Sequence, residues 1–247
     1  MKLFLMALAT LFAFGLPIGL TIFWKNKTNL DIKPFIIGAL FFLLFAMFLE
    51  QGLHFVCVLL DNPISRTING NIILYMLYGG FTAGIFEETG RLFAFKKMLK
   101  KYNNPETSIA YGIGHGSIEI IITIGITYAL YVLVSLGVNL FDSITTKTVL
   151  DTIASIENTT IIIAIIERIL ALTLHIGLSI FVFKAVKDKK YIWYFLAIIL
   201  HAITDMPAAL YQTGELSLLF VELWCATFAA VSICIGIKLY KEMQKEE

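Results

Sequence analysis

Seven apolar stretches, each long enough to cross a bilayer as a helix, leave this chain one architecture. They run Leu3–Trp24, Pro34–Leu60, Asn71–Phe95, Pro105–Gly137, Thr159–Ala185, Tyr191–Leu210 and Leu216–Leu239. A helix needs about 20 residues to span the hydrocarbon core, so the longer stretches tilt or overhang. Lipid offers no partner to an open strand edge, and helix is the state left to them. Only 15% of the 247 residues are charged, against about 25% in a soluble domain, and the mean hydropathy is +0.83. The expected fold is all-α: a polytopic transmembrane bundle of about seven spans, forming one integral membrane domain over residues 1–247. Its surroundings are membrane lipids, and its expected location is a cell membrane, as a multi-pass protein of a bacterial plasma membrane. The net charge of +1 comes without a basic cluster, which argues against a nucleic-acid partner.

Lysines alternate with the spans. Lys25, Lys27 and Lys33 follow the first; Lys96, Lys97, Lys100 and Lys101 follow the third. Lys184, Lys187, Lys189 and Lys190 follow the fifth, and Lys238, Lys241 and Lys245 end the chain. The other side holds Lys2, Arg66 and Lys147. The positive-inside rule then predicts the N-terminus outside and the C-terminus inside. Met1–Trp24 lacks a small-residue cleavage site and reads as a retained helix. Cys57, Cys225 and Cys234 lie in apolar runs without CxxC spacing, so they suggest neither a zinc site nor a disulfide framework. Between residues 138 and 158, Ile144, Val149, Leu150, Ile153 and Ile156 fit a short interfacial amphipathic helix, although so brief a pattern favours a plain structured loop.

Against that apolar background the third stretch carries Glu87, Glu88 and Arg91. Two adjacent carboxylates in hydrocarbon cost about 2.5–3.5 kcal/mol each even on lenient insertion scales, so they must face the protein interior or a wet cavity. Other spans bring His115 and Glu119, His175, and His201 and Asp205. Counted from each lysine-rich end, these groups lie about eight to fourteen residues deep. At 1.5 Å per residue that is one layer roughly 12–21 Å from that end, a bias that points to entry from the lysine-rich side. Glu87 and Arg91 are i,i+4 and Glu88 and Arg91 are i,i+3, so Arg91 can neutralise one carboxylate and leave the other free. His115–Glu119 and His201–Asp205 are i,i+4 pairs in which a carboxylate could orient its histidine or bind a metal. Carboxylates beside imidazoles in a low-dielectric cavity can activate water, either by themselves or with a divalent metal. Catalytic candidates are therefore Glu87, Glu88, Arg91, His115, Glu119, His201 and Asp205. Glu119, His175 and His201 are the candidate ligands for an ion such as zinc, and a metal-free glutamate mechanism stays open beside it.

Gly112, Gly114 and Gly116 around His115 permit a close neighbour or a substrate backbone. Glu50 with His54, and Glu167 with Arg168, read mainly as polar pairs that lock the bundle. Pro207, just beyond Asp205, can kink or end its helix.

The ordered set Glu87-Glu88-Thr89-Gly90-Arg91, Gly112-Ile113-Gly114-His115-Gly116-Ser117-Ile118-Glu119, Glu167-Arg168, His175 and His201-Ala202-Ile203-Thr204-Asp205 resembles the YhfC family of intramembrane metalloproteases. That family is similar to the PrsW proteases and to the CAAX-processing and bacteriocin-processing superfamily. The resemblance implies that Glu87 is the water-activating base and that Glu88 pairs with Arg91. It sets Glu119 where the CAAX proteases carry a His and the PrsW group a Glu. It implies that His201 helps hold the water while Asp205 supports the oxyanion. The chain departs from the CAAX spacing EExxxR, having EExxR, nearer the PrsW pattern. The expected function is an intramembrane peptidase acting on a membrane-embedded or membrane-tethered peptide, with its catalytic core over about residues 71–210. The rival readings are a proton- or cation-coupled transporter and a non-enzymatic immunity or regulatory protein.

Overall fold

The structure, a computed structural model, describes residues 1–246. Among them it forms nine helices and no strand. These are α1 (Lys2–Thr28), α2 (Lys33–Leu59), α3 (Pro63–Asn69), α4 (Ile72–Phe93), α5 (Glu106–Ser135), α6 (Ser143–Ser155), α7 (Asn158–Lys187), α8 (Ile192–Gln212) and α9 (Leu218–Lys245). Six of them, α1, α2, α5, α7, α8 and α9, are long and apolar enough to cross a membrane. The seventh expected span is α4. Its 22 residues are about 33 Å long, yet Glu87, Glu88, Arg91 and several glycines dilute its apolar character. Lipid does not have to accept those charges, because α4 packs against α2, α7 and α8.

Close helix approach builds the middle of the bundle. A Cβ on Gly114 of α5 would overlap the backbone of Phe35 in α2, and one on Gly112 would overlap Ile176 in α7. Helix α5 is thus held backbone to backbone between two neighbours, as small residues allow in membrane bundles. This carries His115 into the interior at 1% exposure. On the other side, Gly80 and Gly84 of α4 lie against the backbone of Ala202 and Ile198 in α8. The outward faces are apolar, as with Leu11, Phe48 and Leu59, each more than 70% exposed.

The bundle departs from regular α-helix in three spans. π-Helical turns occur in α2 (Leu43–Glu50 and Phe55–Leu59), directly after α4 (Ala94–Met98) and within α5 (Ile121–Gly125). Such turns cluster at functional sites, and the one in α5 starts two residues after Glu119.

The segment between α5 and α7 folds as helix α6 rather than a plain loop. Asp142 caps it by accepting from the amides of Ile144 and Thr145, both at 2.9 Å. Lys2 Nζ donates to the carbonyls of Ile153 and Ala154 at its C-terminal end, each at 2.8 Å. Ile153 is buried, and Val149 and Ile156 pack beside it on α1, α5 and α7, while Ile144 is 80% exposed.

Helix α8 does not end at Pro207 but continues to Gln212. Pro207 lacks an N–H, so the Ile203 carbonyl four residues earlier loses its helical donor. The indole Nε1–H of Trp224 in α9 donates to that oxygen at 2.8 Å. In lipid an orphaned carbonyl costs several kcal/mol, and a side chain from a neighbouring helix supplies the remedy.

Candidate active site

Four helices deliver ionisable groups to one buried centre. Glu87, Glu88 and Arg91 come from α4, His115 and Glu119 from α5, His175 from α7, and His201 and Asp205 from α8. Glu88 and Arg91 are fully buried and Glu87 is 8% exposed. Arg91 pairs with Glu88 through Nη1. Its Nη2 lies 3.5 Å from Glu87 Oε2 and donates to His175 Nδ1 at 2.6 Å. Opposite charges on one turn of one helix neutralise each other without help from lipid.

The doublet divides its partners. Glu88 Oε1 takes Arg91 and also His201 Nδ1, at 2.7 Å. Glu87 Oε2 meets His115 Nε2 at 2.8 Å and stands 3.8 Å from His175 Nδ1 and 3.9 Å from His201 Nε2. The other nitrogen of His201 lies 3.3 Å from Asp205 Oδ2. A ring that donates from both nitrogens satisfies Glu88 and Asp205 together. His175 accepts from Arg91 at Nδ1, so its proton is on Nε2, which lies 2.7 Å from Glu119 Oε2.

Glu119 therefore serves His175 across the helix interface, whereas the i,i+4 spacing offered it to His115. Asp205 does face the histidine one turn before it. Arg168, read from the sequence as a bundle-locking residue, bridges Glu119 and Glu167 and lines the cavity beside the centre. A signal for it existed: Arg168 and His175 are seven residues apart, two turns along one face of α7. Glu222, which its place near the outer end of the last span marked as a snorkelling residue, and Cys225 of α9 line the same cavity, a role the sequence did not assign to them.

That cavity measures about 130 Å³ and is lined by Glu87, Glu119, Arg168, His175, His201 and Asp205 among others. It has room for several waters with many polar partners. A second cavity of about 430 Å³ adjoins it across α8, lined by Gln51, His54, Tyr75, Tyr78 and Gln212. His54 pairs with Glu50 at 3.2 Å, as its spacing suggests, and with the Tyr78 hydroxyl at 2.9 Å.

The residues that could hold a metal differ from those the sequence suggested. Donor atoms of Glu87, His115 and His175 all lie within 4.8 Å of one another. His175 is common to both sets; Glu87 and His115 stand in the trio where Glu119 and His201 were expected. Two imidazoles and a carboxylate are a catalytic zinc donor set, and Glu119 behind His175 supplies the outer carboxylate such ligands use. Two further observations favour a cation. His115 Nδ1 is buried without a hydrogen-bond partner among the described residues. Two guanidinium groups, Arg91 and Arg168, and the doubly donating His201 ring stand against five carboxylates, those of Glu87, Glu88, Glu119, Glu167 and Asp205. One adjustment is required. A divalent ion about 4 Å from Arg91 would be repelled by about 8 kcal/mol at an effective dielectric of 20, so the guanidinium must leave His175 Nδ1 and stay with Glu88. The donor set fits an ion under that condition.

Comparison with known proteins gives the chain a family. Residues 12–224 match the model of the family described as YhfC intramembrane metalloprotease. The chain is 33% identical over 250 residues to the "Uncharacterized membrane protein YhfC" of Bacillus subtilis (strain 168), covering 97% of this chain and 96% of that one. No solved structure matches it. With six helices long and apolar enough to cross a bilayer, this is a multi-pass membrane protein, and the chain belongs to the YhfC intramembrane metalloprotease family.

Proposed function

We propose that the protein is an intramembrane peptidase that hydrolyses a peptide bond in or near the bilayer, with Glu87 as the base that activates water. One observation carries this reading. Of the two adjacent carboxylates, Glu88 is committed to Arg91 and His201 at zero exposure, while Glu87 pairs with His115 and borders the cavity. A structural ion network would gain nothing from a second carboxylate kept at a cavity wall.

The proton balance is simple. Glu87 takes a proton from a cavity water as the water oxygen bonds to the scissile carbonyl carbon. The carbonyl oxygen becomes an oxyanion, which the His201 ring stabilises as its Nε2–H turns from Asp205 to that oxygen, with Nδ1–H still held by Glu88. Glu87 returns its proton to the leaving nitrogen as the carbon–nitrogen bond breaks. The immediate products are one carboxylic acid and one amine, and transfer of the acid's proton to the amine leaves a carboxylate and an ammonium. Asp205 and Glu88 keep the His201 ring oriented, and Arg91 holds Glu88 charged beside it.

A metal-dependent version of the same hydrolysis is favoured by the clustering of Glu87, His115 and His175. These residues would hold a divalent ion such as zinc, which lowers the pKa of a bound water to about 7. The two versions make different demands on Glu87, as base in one and ligand in the other.

The substrate we propose is a membrane-embedded or membrane-tethered peptide. The lysine-rich loops support a topology with the N-terminus outside and the C-terminus inside, in a bacterial plasma membrane. The test is to purify the protein and its Glu87→Ala variant and assay both on membrane-tethered peptides, with and without chelator. The reading expects cleavage by the wild type and loss of about 10²–10⁴-fold in the variant. Equal cleavage by both would remove Glu87 from its role.

A further inference from the structure

One turn of α8 forms a wall between two cavities, since Asp205 and Ala208 line both. The smaller, about 130 Å³, is lined by the catalytic candidates Glu87, Glu119, His201 and Asp205. Ligand pockets occupy about 300–1,000 Å³, so it can admit water and the scissile peptide group, while the flanking segment must dock elsewhere. The larger, about 430 Å³, falls inside that range.

The lining of the larger cavity is mainly apolar, and its polar groups come from Gln51, His54, Tyr75, Tyr78, Asp205 and Gln212. Gln51 and Gln212 are exposed there, and Gln51 makes no side-chain hydrogen bond among the described residues. Gln212 accepts from the Tyr75 hydroxyl at 3.1 Å, which leaves its amide hydrogens to donate. Primary amides carry donor and acceptor together and match the amide groups of an extended peptide. No lysine or arginine lines this cavity, and Asp205 is the carboxylate in its wall. The chemistry suits neutral or basic side chains and repels carboxylates.

Direction follows from the helices. Gln51 and Leu59 lie at the end of α2 far from Lys33, and Gln212 ends α8, which starts just after Lys190. Both cavities are therefore on the side away from the lysine-rich loops. On the lysine side the centre is sealed by Phe95, Tyr111, Leu178, Phe181, Phe183 and Met243, all buried in one apolar cluster. A cavity of about 600 Å³ at that end is lined by Phe95 and Phe183 and by none of the catalytic candidates.

We infer that the cavity around Gln51, Tyr75 and Gln212 is the docking subsite for an extended, carboxylate-free segment of the substrate peptide, entered from the end opposite the lysine-rich loops. This rests on the peptidase reading, and it reverses the entry side that the depth of the polar layer suggested. With the positive-inside orientation the segment arrives from outside the cell.

Two measurements test it on the full-length protein in reconstituted membranes. In the first, benzoylphenylalanine replaces Val58 or Tyr102 in a Glu87→Ala background. The probe is a single-span helix with a neutral, amide-rich tail on the side away from the lysines. Photocrosslinking at position 58 and not at 102 is expected; the reverse, or none at 58, overturns the inference. In the second, Gln51→Leu in otherwise wild-type protein raises KM for a cleaved peptide about tenfold and leaves kcat within about twofold. An unchanged KM overturns it. Crosslinking at 58 by a protein that cleaves no peptide would reject the peptidase reading and keep the binding site. Cleavage without crosslinking at 58 would do the opposite.

Discussion

Arg91 donates from Nη2 to His175 Nδ1 at 2.6 Å while the same guanidinium pairs with Glu88. One cation thereby joins α4 to α7 and fixes which nitrogen of His175 carries the proton. A lysine has one compact ammonium and cannot span both partners. Arg91→Lys is expected to retain the fold and lower peptide cleavage at least about tenfold. Arg91→Met leaves Glu88 buried with His201 as its remaining partner, and removing one side of a buried ion pair costs about 3–5 kcal/mol. Thermal unfolding in detergent, measured beside cleavage, separates the two effects. Full activity in Arg91→Lys would contradict the bridging role.

The trio Glu87, His115 and His175, which could hold a metal, predicts which substitutions would release an ion. Zinc bound by the purified protein, measured by elemental mass spectrometry, should be lost in His115→Ala and His175→Ala. It should be retained in His201→Ala, whose ring faces Glu88 and Asp205 instead. Loss in His201→Ala with retention in His115→Ala would favour the ligand set suggested by sequence alone.

The Trp224–Ile203 hydrogen bond compensates for a missing backbone donor, and that claim can be tested with a pair of variants. Trp224→Phe is expected to destabilise the bundle by about 1 kcal/mol. In a Pro207→Ala background residue 207 supplies its own N–H, and the Trp224 substitution should then cost close to nothing. The non-additivity is the signature; equal costs in both backgrounds would contradict the compensation.

Helix α6 should respond to acid through its cap. The Thr145 hydroxyl, at 2.6 Å, holds the Asp142 carboxyl below the usual carboxylate range, helped by the amides of Thr145 and Ile144. Because the folded pKa is depressed, the stabilisation is present above the unfolded value of about 4. It disappears as pH falls through the lower folded value. Hydrogen exchange of the α6 amides should therefore stay slow at neutral pH and accelerate in strong acid. Asp142→Asn should abolish that acid step, since an amide oxygen caps at any pH. Exchange that slows on acidification would contradict this sign.

Much of this was legible from residue types alone, because charge in an apolar run is costly enough to need a partner. Glu87, Glu88 and Arg91 announced a buried network by composition, and their i,i+3 and i,i+4 spacings announced the Arg91 contacts on the same helix. Contacts between helices were less legible. Glu119 is one turn from His115, yet the way α5 crosses α7 turns it to His175 and Arg168. Helical spacing says which residues share a face, and packing decides what that face meets. Helix α6 was undervalued because its apolar pattern is short, while Asp142 at its start is a strong cap. Pro207 is a helix breaker by local chemistry, and the indole that overrides it comes from 17 residues further along, on α9.

The central claim is that Glu87, and not its neighbour, moves the proton. It is tested most directly by the rate constant for cleavage of a membrane-tethered peptide by wild type and by Glu87→Gln, which keeps shape and removes only the base. The account predicts cleavage by the wild type and a fall in kcat of about 10²–10⁴-fold in the variant, with KM little changed. A Glu87→Gln protein that cleaves within about tenfold of wild type, or a wild type that cleaves none of the peptides, would contradict it.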